Sequence, residues 1–169
     1  MTTIRRHVGA CVLGLLVLAA PAFAQEFRIG VVNTDRILRE SNPAKAAQAK
    51  LEQEFSRREK EVADLGSALK AASDKLEREA PTLAESQRAS RQKALFEMER
   101  DFQRKRRELN EDLGARKSEE VQQVLDRAYR VIQQVAVQEK YDLVLQEALY
   151  ISPKHDITEK VIRALNASK

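Results

Sequence analysis

Cysteine is nearly missing from this sequence: Cys11 is the only one, so no disulfide can brace the fold. Histidine is almost as scarce, with His7 in the opening residues and His155 beside a predicted helix start. There is no Gly-rich phosphate loop and no paired Cys/His spacing. Carboxylates abound, but nearly all alternate with Lys or Arg, as on solvated helix faces and in i,i+4 pairs such as Glu54 with Arg58. Catalysis needs convergent groups, so the sequence predicts no enzyme, no cofactor and no metal site. Large apolar side chains are also few where they would be needed. Residues 43–118 hold 13 Val, Ile, Leu, Met or Phe against 33 charged residues, too few for a globular core.

The first residues follow a different pattern. MTTIRRH is basic, VGACVLGLLVLAA is an apolar run of 13, and Ala22-Phe23-Ala24 is a small-x-small motif. This is the layout of a secretory signal peptide over residues 1–24, cleaved after Ala24. The run falls short of the ~20 apolar residues that span a bilayer. The position of Cys11 ahead of most of that run also argues against a lipid-modified cysteine. Removing Arg5 and Arg6 leaves 28 Lys and Arg against 26 Asp and Glu. A chain so nearly balanced, and exported, is not expected to bind nucleic acid.

Within residues 43–118 the few apolar residues are strictly placed. Phe55, Val62, Leu69, Leu76 and Leu83 recur every seven residues, with Leu51, Arg58, Leu65, Ala72 and Glu79 interleaved. That is an a/d seam for packing one helix on one partner helix. Pro81, alone between Pro43 and Pro153, interrupts it. Proline should push Ala80 towards extended geometry, and Thr82-Leu-Ala-Glu85 reads as a capping box for a second helix. The prediction is an antiparallel hairpin arm over 43–118 with its tip at 80–84, in which facing residues have numbers adding to about 163. Leu51 then meets Leu113, Phe55 meets Leu109, Val62 meets Phe102 and Leu69 meets Leu95. Asn42 should cap the first helix, with Pro43 at its first position. Gly66 is read as a bending point and Gly114 as a close-packing site.

The flanks, 25–42 and 119–169, are richer in apolar residues and form the predicted body. Phe27–Val32, Tyr141–Leu145 and Ala148–Ile151 read as strands. Asn33 caps a brief helix, Val121 to Val135 form an amphipathic stretch, and Asp156-Ile-Thr-Glu159 starts a last helix. The fold class is therefore α+β and mostly helical, a small β-rich body with a long coiled-coil-like hairpin. A body of about 70 residues is marginal by itself, which points to oligomerisation for support.

Arg104-Lys105-Arg106-Arg107 is the sharpest charge feature. It is either a solvated face near Glu59 and Glu61 or an attraction for anionic surfaces such as lipid head groups, or for acidic segments of a client protein.

The signal peptide, IGVVNTDRIL, the charged hairpin, and YDLVLQEALYISPKHDITEKVIRAL together resemble the Skp/OmpH family of periplasmic chaperones. The resemblance covers the chain beyond the signal peptide and implies a homotrimer with a barrel-like core and three projecting arms. It implies an ATP-independent holdase that shelters unfolded outer-membrane β-barrel proteins between the arms. It further implies lipopolysaccharide binding through a lysine and an arginine pair. Arg106-Arg107 matches the pair, while Leu95-Phe96-Glu97 has no lysine. Flexible arms bearing both charge signs suit weak, many-sided binding. The competing reading is an exported hairpin adaptor that docks through its tip to an envelope or channel partner.

Overall fold

The computed structural model describes residues 26–168; Cys11 and the signal peptide and cleavage site expected in residues 1–24 fall outside them. Strand β1 (Ile29–Val31) leads through Asn33, whose side-chain oxygen accepts the Arg36 N–H at 2.9 Å, into α1 (Thr34–Glu40). Helix α2 (Asn42–Glu79) follows at once. Its cap is Ser41, one residue before the expected Asn42: the buried Ser41 hydroxyl accepts the Ala44 N–H. This leaves the Asn42 N–H free to donate to Asn166 Oδ1 at 2.7 Å, which ties the root of α2 to the last helix.

The tip differs from expectation in its details. Ala80 stays helical (φ −50°, ψ −39°), and Pro81 sits inside a single 3-10 turn, Ala80–Thr82. At the start of such a turn proline's missing N–H would have no partner anyway, so its presence costs little. The chain reverses at Leu83 and Ala84, both extended. Thr82 does not cap the next helix. Its hydroxyl donates back to the Glu79 carbonyl at 2.9 Å, satisfying one of the orphan acceptors at the end of α2. Helix α3 (Glu85–Gln138) starts after Ala84 without a side-chain cap and runs 54 residues, from the tip back through the body.

Helix α3 ends in a Schellman motif. Tyr141 N–H reaches the Ala136 carbonyl, Lys140 N–H reaches Val137, and Lys140 takes φ 56°, where glycine is usual. Strand β2 (Leu143–Leu145) then pairs parallel to β1, with Ile29 opposite Leu143 and Val31 opposite Leu145. The third expected strand, Ala148–Ile151, is irregular and pairs with neither strand of this two-stranded sheet. After a 3-10 turn at Pro153–His155, helix α4 (Thr158–Ala167) starts where Asp156 accepts the Thr158 N–H at 2.8 Å. The other half of that capping box is not made, since Glu159 turns to Arg36.

The core lies where these pieces meet. Ala128, Val131 and Val135 line one face of α3 at helical spacing. They pack with Val161, Ile162 and Leu165 of α4, and with Val32, Ile37 and Ile157. Gly30 makes room at this junction: a Cβ there would lie 2.8 Å from Ile157 Cδ1, and that buried side chain would have to shift. The predicted class, a mostly helical α+β chain with a long hairpin on a small sheet, is the observed one.

Candidate functional site

Helix α2 has 38 residues, which at 1.5 Å per residue extends about 57 Å. It lies antiparallel to α3 from the tip as far as Glu120 and with it forms the arm. The predicted seam residues sit along the contact: Phe55 and Leu109 are buried, and Leu51, Val62, Leu69, Leu95, Phe102 and Leu113 are half-buried. Two helices alone cannot seal a seam from water.

Ion pairs fix the register. Lys50–Glu120 (2.5 Å), Glu54–Arg116 (3.4 Å), Arg58–Asp112 (2.8 Å) and Glu79–Arg91 cross between the helices, and each pair of numbers adds to 170. The apolar spacing predicted about 163, so the register is corrected by one heptad. The reason is periodicity. A stripe that repeats every seven residues matches itself again after sliding seven, so only the charges can choose. Leu95 accordingly shares a groove with Ala72 and Leu76. Glu54 and Arg58 do not pair with each other along α2; each reaches across to α3.

The glycines differ. A Cβ on Gly66 would sit 3.2 Å from Phe102 Cε2, so Gly66 receives the edge of that ring. Gly114 has nothing within 4 Å of such a Cβ, which removes the close-packing explanation.

At the root of the arm, Glu120 is buried between Lys50 Nζ and Arg116 Nη2, the latter at 3.0 Å. The hydrogen bond from Lys50, with the two cationic charges, holds the Glu120 carboxyl below the usual glutamate range against the opposing effect of desolvation. At the tip, Arg91 does the same for Glu79.

The cations of 104–107 are not one patch. Arg104 is bonded to Asp101 and Glu108 on its own helix, and this raises its pKa. Arg106 lies over the Phe102 ring at 5.4 Å and donates to Gln103 at 2.6 Å. Lys105 is half-buried and Arg107 exposed. Neither Glu59 nor Glu61 meets them in an ion pair among the described residues; Glu61 pairs with Arg57.

Two surfaces were not singled out by the sequence pattern. Phe96 is 61% exposed on the arm. The available signal was its place directly after the seam residue Leu95, since neighbours on a helix cannot both face one partner. On the body, Phe27, Val137, Leu143, Leu145, Leu149 and Tyr150 are all exposed. Strand β2 turns Val144 towards the core and leaves Leu143 and Leu145 outside, so it is apolar on both sides. Among the described residues, no helix is long and apolar enough to cross a membrane and no cluster of His, Cys, Asp or Glu could hold a metal.

A family model described as outer membrane protein (OmpH-like) matches residues 28–165. Chaperone protein Skp of Yersinia enterocolitica is 29% identical over 94% of this chain and 98% of its own length. Chaperone protein Skp of Pectobacterium atrosepticum is 31% identical over 90% of this chain and 95% of its own. The Skp-like protein of Pseudomonas aeruginosa is 26% identical over 89% and 90%. The crystal structure of an OmpH-like protein from Caulobacter crescentus has the same fold, with a TM-score of 0.67 at 22% identity over 83% of this chain and 84% of that one.

Proposed function

Since the chain belongs to the OmpH-like outer membrane protein family, we propose that it is a periplasmic chaperone of outer-membrane proteins. In this reading it holds unfolded β-barrel clients between its arms without ATP and releases them for assembly. The observation that carries the reading is the arm: about 57 Å of paired helix with a seam too thin to be an end in itself. Its sides bear both charge signs, which favours many weak contacts over one sharp pocket.

A single arm cannot enclose a client, so the reading includes self-association as a homotrimer. The apolar residues left outside on β2 and on Ala148–Ile151 support it. Apolar patches that stay exposed mark interaction sites, and an unpaired strand edge is a template for another chain. A second copy could supply the strand partner that Ala148–Ile151 lacks here. Three arms on one hub would then add avidity through effective concentration.

Anionic lipid or lipopolysaccharide binding belongs to the same reading only in a reduced form. Lys105, Arg106 and Arg107 are the members of the 104–107 run without an ion pair among the described residues, and Arg106 is taken up by Gln103 and the Phe102 ring.

Light scattering tests the proposal. The purified protein, alone and mixed with a urea-diluted outer-membrane barrel, should run as a trimer and keep the barrel soluble in a stoichiometric complex. A monomer that leaves barrel precipitation unchanged would overturn it and favour the tip-docking adaptor.

A further inference from the structure

Resting on that chaperone reading, we propose that a strip on the back of α3, made of Phe96, Arg100, Gln103 and Arg107, binds extended segments of the client. The preferred segment carries an aromatic or large aliphatic side chain about five residues from a carboxylate.

Three observations meet here. Phe96 is the one large apolar side chain exposed on the arm among the described residues. The spacing 96, 100, 103, 107 is i, i+4, i+7, i+11, one helix face, and these residues line one open groove. This face points away from the seam side occupied by Leu95, Phe102 and Leu109, so a client can cover it without prising the arm open. The strip is roughly 16 Å long at 1.5 Å per residue, about five residues of extended chain.

The third observation is charge. Arg104, at the edge of the groove, is taken up by Asp101 and Glu108. Among the described residues no ion pair engages Arg100 or Arg107, so the strip presents two free guanidinium groups, one a turn from Phe96 and one at its far end. Guanidinium binds carboxylates in bidentate fashion and also stacks on aromatic faces. At the strip itself the two guanidinium groups favour a carboxylate over a lysine ammonium. A membrane surface is disfavoured as the occupant, because Glu97 and Glu99 flank the strip and would face closely spaced phosphates. A flexible chain presents one carboxylate at a time and escapes that repulsion.

The test uses the full-length protein and three labelled twelve-residue peptides read by fluorescence anisotropy. One alternates Tyr and Asp five residues apart, one has Lys for Asp, and one has Ala for Tyr. Wild type should bind the first most tightly. Phe96→Ala should weaken that binding about three- to tenfold, the range of a moderate interface anchor. Arg100→Glu with Arg107→Glu should abolish or reverse the preference for Asp over Lys. Both variants change exposed positions, and unchanged far-UV circular dichroism will verify their fold. The same proteins are then given a urea-unfolded barrel and phosphatidylglycerol vesicles. If wild type fails to keep the barrel soluble, the chaperone reading fails, whatever the peptides do. If wild type succeeds and both variants bind peptides and barrel equally well, the strip is overturned. Loss of vesicle binding with peptide binding intact would also overturn it, by making the strip a lipid site.

Discussion

The body and the arm solve the problem of burial in opposite ways. In the body, Ile37, Val161 and Leu165 are wholly sealed from water, and three helices and a strand pair converge on them. In the arm, across residues 43–118, only Ala44, Phe55 and Leu109 are buried. A helix packed against one partner hides one stripe and wets the rest, so most arm residues gain almost nothing from tertiary burial. The arm holds its shape through helix propensity, capping and ion pairs, and these set register better than they set stability. The lesson is that one continuous helix, α3, is deeply packed at one end and thinly packed at the other because of what lies beside it.

The largest expected effect tests the body. Leu165→Ala removes a fully buried side chain from α4 and should cost about 2–5 kcal/mol. That is a large share of the ~5–15 kcal/mol by which domains are stable. Hydrogen exchange should show amides at 60–100 already far less protected than those at 128–135 and 161–165 in wild type. In the variant the body should fall to the arm's level. Equal protection of arm and body in wild type would break the comparison.

A smaller effect, about 1 kcal/mol, separates the two arm glycines. Glycine inside a helix costs about that much relative to alanine. Gly114→Ala meets open space, so it should return the whole gain as a higher melting temperature of the arm. Gly66→Ala brings a methyl group to 3.2 Å from the half-buried Phe102 ring, which must shift by a few tenths of an ångström. Its gain should therefore be smaller. If Gly66→Ala stabilises the arm as much as Gly114→Ala, Phe102 does not need that space. Should it also weaken capture of large clients more than small ones, bending at Gly66 is part of the holding mechanism.

Much of this was legible in the sequence, for physical reasons that also mark the limit. Leu51 to Leu113 betray a seam because a helix on one partner has to repeat every seven residues, and no other pattern explains so few apolar side chains so spaced. The same repeat hides the register, which rests on pairs such as Arg58–Asp112 that span two helices. Val131, Val135 and Leu165 were readable as core faces. The strand reading of Ala148–Ile151 judged residue type, and a strand also needs a neighbour. At the tip, Pro81 announced the break, but residue type did not reveal that Thr82 would turn back to Glu79 in place of capping the next helix. Phe96 was visible only as a misfit, one position off the stripe.

The smallest effect concerns pH, and it grades the arm against the body. Glu120 at the root, Glu79 at the tip and Asp156 in the body are all held below their ordinary values. The leading causes are hydrogen bonds from Lys50, Arg91 and Thr158 respectively. A carboxyl with a lowered folded-state pKa stabilises the fold above its ordinary pKa, about 4 in unfolded chains, and loses that contribution as pH falls through the folded value. Stability should therefore be flat from pH 7 to 5 and decline below about 4.5. Urea titrations at pH 7, 5, 4 and 3 can assign the decline. Glu120→Gln should flatten it most among arm variants, since Glu120 alone is shielded between two cations on facing helices. Glu79→Gln should flatten it least, because its pair is open to water at the tip, where screening is strongest. Equal flattening by both would mean that the root of the arm is no better shielded than its end, and that the body lends the arm nothing at their junction.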